Sequence, residues 1–427
     1  MESRFGLPKN KVFCLLSLSL LVLFVLTLAG CGAPAGKGGA GGKGDAGKPA
    51  KPVKVGVIDC FTGPPTTYSQ DSLDGFKLAI EEINKQGGPK IEFVQRDDQF
   101  KVDQALNWAK ELVMREQVDV LAGTINSAAS LAVSSYAKDN KVPFLVWGAM
   151  SDKISGEAGH RYVFQMLPNT AMIGQSGAVQ ASRLPYKKYW LAGSDYEYGH
   201  SIVSNFWAKL QKMKPDVQKV GESWWRVGES DYIPYINKIR TARPEVLIVG
   251  AGGADVVNFL KAVKATGLAR DMQIWAHMAI DLSTLNPLKA EAPEGVLGTT
   301  SYLYYYPDTP ANKAFAEAFK KAYNREPAAF AIYGYLTGKF IAEAARKAGG
   351  ADREKLIDAL EGLTLDSPVG PVTIRQFDHQ VMMPMFFGKT VKKEGLPYLV
   401  GGEITTLAAD QIVPPVEEIR EKRAQAK

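Results

Sequence analysis

The sequence predicts an α/β protein built as two doubly wound parallel-sheet lobes. Three observations carry that expectation. From Val53 onward, short apolar runs rich in β-branched residues alternate with segments of helical periodicity, the pattern of parallel strands covered by helices on both faces. A second set of the same kind follows Asn169. Finally, several late helices have no sheet of their own, so the chain must cross back to cover one already laid down. With 427 residues, 46% of them hydrophobic and 22% charged, the composition is that of an ordinary globular chain with room for two lobes.

Residues 1–30 stand apart from this pattern. Arg4, Lys9 and Lys11 precede an apolar run over 12–29, the layout of a secretory signal. The run ends Leu28-Ala29-Gly30-Cys31, which resembles a bacterial lipobox; Cys31 would then carry lipid and become the first mature residue. An uncleaved anchor is the alternative, because the run is nearly long enough to span a bilayer. A lipid on Cys31 would hold the protein at a membrane surface without crossing it. Residues 31–52, rich in Gly, Ala, Lys and Pro, read as a flexible tether. Within it 42–48 spells G-x-x-x-x-G-K, but Pro49 stands where a phosphate loop needs Ser or Thr, and no strand precedes it. Of three cysteines only Cys60 belongs to the folded part, which leaves no intrachain disulfide. The net charge of +6 is scattered without a basic cluster, so no nucleic-acid partner is expected.

In chain order, strands are expected at 55–59, 90–98, 118–122 and 142–146, with helices over 73–84 and 104–115 and one opening near Ser127. The second set has strands at 189–193, 218–222 and 246–250, with helices over 199–210, 233–242 and 255–267. Helices over 311–323, 331–348 and 353–360 must return to the first lobe near Thr299, and short strands at 369–374 and 382–390 imply another crossing near Gln376. The expected division is 53–168 plus 299–375 for lobe 1, 169–298 plus 376–410 for lobe 2, and 411–427 as a C-terminal tail.

The stretch Val118 to Ser130 is the first candidate site. A buried strand ending at the first turn of a helix leaves unpaired N–H groups at the sheet's carboxyl edge, which attracts an anion, with the Ser127 hydroxyl as an added donor. The alternative is that Asn126 or Ser127 simply caps the helix.

Further residues resemble the type I periplasmic binding proteins. The resemblance rests on Gly63-Pro64, Asp74-Gly75, Ala79-Ile80-Glu81-Glu82-Ile83-Asn84, Gly87-Gly88, Arg96-Asp97-Asp98-Gln99, Tyr198-Gly199, Ser230-Asp231-Tyr232 and Val369-Gly370-Pro371-Val372-Thr373. Within that family it looks like the branched-chain amino-acid and amide branch that serves ABC importers. The resemblance implies two lobes joined by three crossovers that close over one small ligand, an amino acid, other carboxylate or amide, with permease and ATPase subunits as partners and no cofactor or metal. It also implies a carboxylate cradle at Ser127 and the N–H of Ala128, backbone groups at Ala149 and Met150, and cleft aromatics at Tyr68 and Tyr198. Met150 replaces the family's usual Thr, with Ser151 beside it as another source of a hydroxyl, and Gly252 falls where an aromatic is common. No acid stands near Trp275 to receive an ammonium, which leaves Asp281, Asp231 or Glu197 to move in. Trp147 and Trp275 would suit a flat apolar group, so aromatic or aliphatic carboxylates and amides rival amino acids.

Enzyme chemistry finds little support. The four histidines lack metal-ligand spacing, and there is no G-x-S-x-G elbow around a serine. Gly250-Ala251-Gly252-Gly253 lacks the third glycine of a dinucleotide fingerprint, and Asp378-His379-Gln380 reads as a hydrogen-bonded corner. A ligand-sensing receptor of the same shape is the alternative to transport.

Overall fold

A computed structural model describes residues 51–63, 65–396 and 398–426. The signal segment, the Cys31 lipid site and the tether up to residue 50 lie outside the described residues.

The first sheet comes from β1 (Val53–Asp59), β2 (Ile91–Asp97), β3 (Val120–Gly123), β4 (Phe144–Val146) and β5 (Val163–Gln165), interleaved with α1 (Thr66–Lys85), α2 (Val102–Met114) and α3 (Ser127–Asp139). Its order is β2-β1-β3-β4-β5, parallel throughout. The order reverses between β1 and β3, and a crevice forms at the carboxyl ends of strands whose helices leave to opposite faces.

The chain then runs through α4 (Thr170–Ala181), β6 (Lys188–Ser194), α5 (Glu197–Met213), β7 (Gln218–Trp225), α6 (Ile233–Ala242), β8 (Val246–Gly250), α7 (Gly253–Thr266), β9 (Gln273–His277), α8 (Leu282–Leu288) and β10 (Leu297–Thr300). After these come α9 (Pro310–Tyr323), α10 (Ala329–Ala348), α11 (Arg353–Leu360), β11 (Thr364–Leu365), β12 (Val372–Ile374), β13 (Val381–Met382), β14 (Met385–Val391), β15 (Val400–Leu407), α12 (Ala409–Ile412) and α13 (Val416–Gln425). The second sheet is ordered β15-β14-β10-β9-β8-β6-β7, parallel from β7 to β10 and antiparallel at β14 and β15. It too reverses, between β6 and β8. Each sheet therefore has one crevice, and the two crevices supply the candidate site.

The late helices behave as their missing sheet required. α10 lies along α1, and α11 packs on α10, so both cover the first sheet although they follow the second in sequence. The close approach depends on Gly75 and Gly334: a methyl on Gly75 would fall on the carbonyl oxygen of Ala331, and one on Gly334 on that of Ser72. The tyrosine run after β10 ties the crossover to the second sheet. Tyr305 donates to the Gly401 carbonyl at 2.9 Å, and Tyr306 shares a hydrogen bond with Thr406 at 2.8 Å.

Several elements escaped the sequence pattern, among them β9, α8, β10 and β15, and for two of them the reason is plain. α4 is buried at all twelve positions, so it has no polar face to give a helical period. Residues 416–425, within the expected tail, form α13, a helix whose single buried residue is Ile419.

Candidate functional site

At the first crevice the loops after β3 and β4 run side by side. Trp147 N donates to the Gly123 carbonyl at 3.1 Å, and Gly148 packs against the backbone of Thr124 and Ile125. α3 then starts at Ser127, capped by Asn126. The Asn126 side-chain oxygen accepts from Ala128 N at 2.9 Å and Ala129 N at 3.1 Å, while its amide donates to the Phe100 carbonyl at 3.0 Å. This departs from the expected cradle. The Ala128 N–H already has an acceptor, because a short side chain at the cap reaches it more readily than a diffusing anion can. Ser127 is half-buried at that edge.

The β4 loop offers more. The carbonyls of Ala149 and Met150 are taken by Gln165 Nε2 at 3.0 Å and Thr170 N at 2.7 Å. Their N–H groups have no acceptor among the described residues. Both residues are buried, which makes these N–H groups strong calls on a polar partner.

Trp147 and Trp275 do not face the cleft. Trp147 is fully buried, donates its indole N–H to Asp59 at 2.6 Å and packs on Phe76 at 5.2 Å. Trp275 is buried under α4 and α5, against Phe206 at 5.0 Å and in the space left by Gly177. Successive strand residues alternate faces, and these rings fall on the core side.

The second crevice contributes Tyr196, Tyr198, Gly252 and Gly253. Tyr196 and Tyr198 stack at 5.8 Å, and Gly252 leaves room beneath the Tyr198 ring that a side chain there would reduce. Tyr68, from the start of α1, crosses from the first sheet to the second: its hydroxyl accepts from Gly253 N at 2.9 Å. Its ring stacks on Phe330 at 4.3 Å, and Phe330 meets Tyr333 edge-on at 5.4 Å. Burial pushes the Tyr68 phenol up to about 12 and holds Tyr198 well above the usual phenol range, with neighbouring tyrosines adding to the latter. Tyr68, Tyr198 and Gly252 thus come together. Sequence reasoning passed over Tyr196, Phe330 and Tyr333, although Phe330 and Tyr333, three residues apart on one helix, offered a signal.

Just outside the Tyr68–Gly253 contact is an open cleft of about 720 Å³, walled by the first turns of α1, by α7 and α8, and by Arg325. Arg325 reaches Asp71 at 2.6 Å and Asp74 at 2.7 Å. Burial nonetheless pushes Asp71 up to about 7, aided by Asp281 and Asp74, because the half-exposed guanidinium is shared between two carboxylates.

The acids considered for an ammonium all have partners. Asp281 is fully buried and accepts from Ser283 N at 2.9 Å, Ser283 Oγ at 2.6 Å and Thr300 Oγ1 at 2.9 Å. Glu197 accepts from Ser151 Oγ at 3.3 Å and Lys153 Nζ at 3.2 Å. Asp231 is exposed and caps the backbone of Ile233 at 3.0 Å. The Asp378 corner is structural: Arg375 grips Asp378 at 2.8 and 2.5 Å, and His379 stacks on Phe164 at 4.1 Å.

Beside the Asn126 cap lies Asp98, fully buried, with one carboxylate oxygen on Phe100 N at 2.8 Å and the other without a partner among the described residues. Burial, with nearby Asp59 adding, pushes its pKa from 3.8 to about 7. The folded chain therefore holds a proton that the unfolded chain releases, so this group's contribution is full below pH 3.8 and is lost as pH rises toward 7. Asp98→Asn keeps the acceptor for Phe100 and removes the charge. Urea unfolding at pH 5 and pH 8 should show the alkaline loss of stability shrinking by about 1–3 kcal/mol in the variant. An unchanged difference would mean Asp98 is charged in both states.

Comparison with known proteins fits this geometry. A family model described as periplasmic binding protein matches residues 52–425. The leucine-, isoleucine-, valine-, threonine-, and alanine-binding protein of Pseudomonas aeruginosa is 26% identical over 328 residues, covering 74% of this chain and 84% of that protein. A solute binding protein of an ABC transporter from Rhodopseudomonas palustris BisB5, solved with 3,4-dihydroxybenzoic acid, superposes with a TM-score of 0.76 at 26% identity, covering 83% of this chain and 97% of that one. An ABC-type branched-chain amino acid transporter protein from Rhodopseudomonas palustris CGA009 gives a TM-score of 0.72 at 26% identity, covering 85% and 99%.

Proposed function

This chain belongs to the periplasmic binding protein family, and from that premise we propose that it is the exported solute-binding component of an ABC importer. Its fold is the type I clamshell of two doubly wound parallel-sheet lobes. In this reading lobe 1 is 53–168 plus 299–375 and lobe 2 is 169–298 plus 376–410, with lipid on Cys31 as the anchor, permease and ATPase subunits as partners, and no catalytic step.

The ligand is a small carboxylate held in the seam where the two crevices meet. One observation carries this: the N–H groups of the buried residues Ala149 and Met150 have no acceptor among the described residues, and their loop runs alongside the one that leads into α3. A carboxylate there would meet two N–H donors, with the Ser127 hydroxyl as a third, while the apolar end lies against Tyr68 and Tyr198. A ligand bridging both sides adds contacts that exist only when the lobes meet, which shifts the population toward closure.

Within carboxylates we favour an aromatic acid. An amino acid brings an ammonium, and Asp281, Glu197 and Asp231 are all committed elsewhere. Burying that cation unpaired would cost several kcal/mol, roughly. The branched-chain amino-acid reading is the second one, favoured by the Pseudomonas aeruginosa relative.

A thermal-shift screen over aromatic acids, branched-chain amino acids and amides separates these readings, since a ligand that binds only the folded state raises the melting temperature. Aromatic acids are expected to give the largest rise. A rise confined to leucine, isoleucine and valine would favour the second reading, and no rise in any class would contradict solute binding.

Tyr68→Phe tests the closure contact. It keeps the Phe330 stack and loses the bond to Gly253 N, so affinity for the best ligand should fall about 3- to 10-fold, the worth of one hydrogen bond of roughly 0.5–1.5 kcal/mol. Affinity unchanged by calorimetry would mean the contact does not contribute to closure.

A further inference from the structure

α13 returns to the first sheet's side of the molecule after β15 has ended in the second sheet. α12 packs on α4, and Ile412 is fully buried there. Two residues later the Pro414 carbonyl accepts from Arg375 at 2.9 Å, and Arg375 lies beside the turn whose Gln380 bridges β5. Pro414 and Pro415 restrict the connecting backbone, so the link is both short and stiff. α13 itself then docks through charge. Arg423 donates to the carbonyls of Gly156 and Ser155, both at 2.9 Å, and Arg420 and Arg423 lie over the Phe377 ring at 5.0 and 5.1 Å. Gly159 makes this seat possible, since a methyl there would collide with the Arg423 guanidinium.

The carbonyls that Arg423 holds belong to the turn that follows Ala149, Met150 and Ser151. In the same turn Asp152 accepts from Ser201 Oγ on α5 at 2.8 Å and lies 3.8 Å from Lys422. Removing α13 would uncover little core, because Ile419 is its one buried residue. A polar helix that is not needed to complete a core, yet docks on the first lobe while a stiff Pro414-Pro415 link ties it to α12 on α4, has a positional role.

We infer that α13 is a fourth crossing of the hinge and that Arg423 is a positioning residue, holding the 149–156 loop and restraining the lobes near the closed arrangement. This rests on the two-lobed reading above, but its test needs no ligand, so its failure leaves the binding proposal standing.

The experiment compares the full chain with Arg423→Ala, Arg423→Lys and the double variant Arg420→Ala/Arg423→Ala, without added solute. Small-angle X-ray scattering should show an upward shift in radius of gyration for Arg423→Ala and a larger one for the double variant. Arg423→Lys, which can still donate to both carbonyls, should return most of the shift. Hydrogen exchange at Gly156 and Ala158, whose N–H groups bond within this turn, should quicken by about tenfold in Arg423→Ala. Faster exchange with superposable scattering curves would reduce Arg423 to a local anchor and overturn the inference, as would unchanged exchange.

Discussion

Gly334→Ala should be the most damaging single substitution in the fold, costing about 3 kcal/mol or more and lowering the melting temperature clearly. The new methyl would fall on the Ser72 carbonyl oxygen, and backbone cannot swing aside as a side chain can. Relief requires α10 and α1 to separate, and that seam includes Phe76, Phe330, Tyr333 and Phe340. Binding should suffer as well, because Tyr68 rides on the first turn of α1 and its ring rests on Phe330. Chemical denaturation measures the loss. A cost below about 1 kcal/mol would mean the helices sit farther apart than this seam requires.

The second large effect belongs to Asp59, at the carboxyl end of β1. Its fully buried carboxylate accepts from Cys60 N at 2.9 Å, Ser69 Oγ at 2.8 Å and Trp147 Nε1 at 2.6 Å. Burial holds its pKa above the ordinary carboxylate value although these donors pull it down. Asp59→Ala strands three buried donors, at about 1–3 kcal/mol each before any water entry, so a total of roughly 3 kcal/mol or more is expected. Trp147→Phe removes only one donor and should cost less. The pair also decides what Trp147 does: if Trp147→Phe abolished ligand binding while leaving stability intact, the core assignment of this ring would fail.

Much of the architecture was legible because strands and amphipathic helices announce themselves by period. β1, β6 and β8 are nearly continuous apolar runs, and α1, α5 and α9 each show one apolar face. Two of the elements that escaped lack that contrast, α4 for want of a polar face and α13 for want of an apolar one. The site was harder to read. Ser127 and Tyr198 stand where strands end, which sequence can locate, but which neighbour claims a given N–H depends on geometry. Asn126 taking Ala128 N is such a case, and so is the core-facing turn of Trp147. Gly177 on α4 carried a trace of the truth about Trp275, since the indole fills the space that its missing side chain leaves.

Calorimetric titration of 3,4-dihydroxybenzoate and of leucine, into the chain and into Tyr198→Ala, reaches the main assertion most directly. Saturable one-to-one binding of the aromatic acid is expected, weakened at least about tenfold in the variant, since losing a buried aromatic wall costs more than one such factor. Heat that is absent for both solutes, or binding that Tyr198→Ala leaves unchanged, would contradict a carboxylate held between the lobes at this seam.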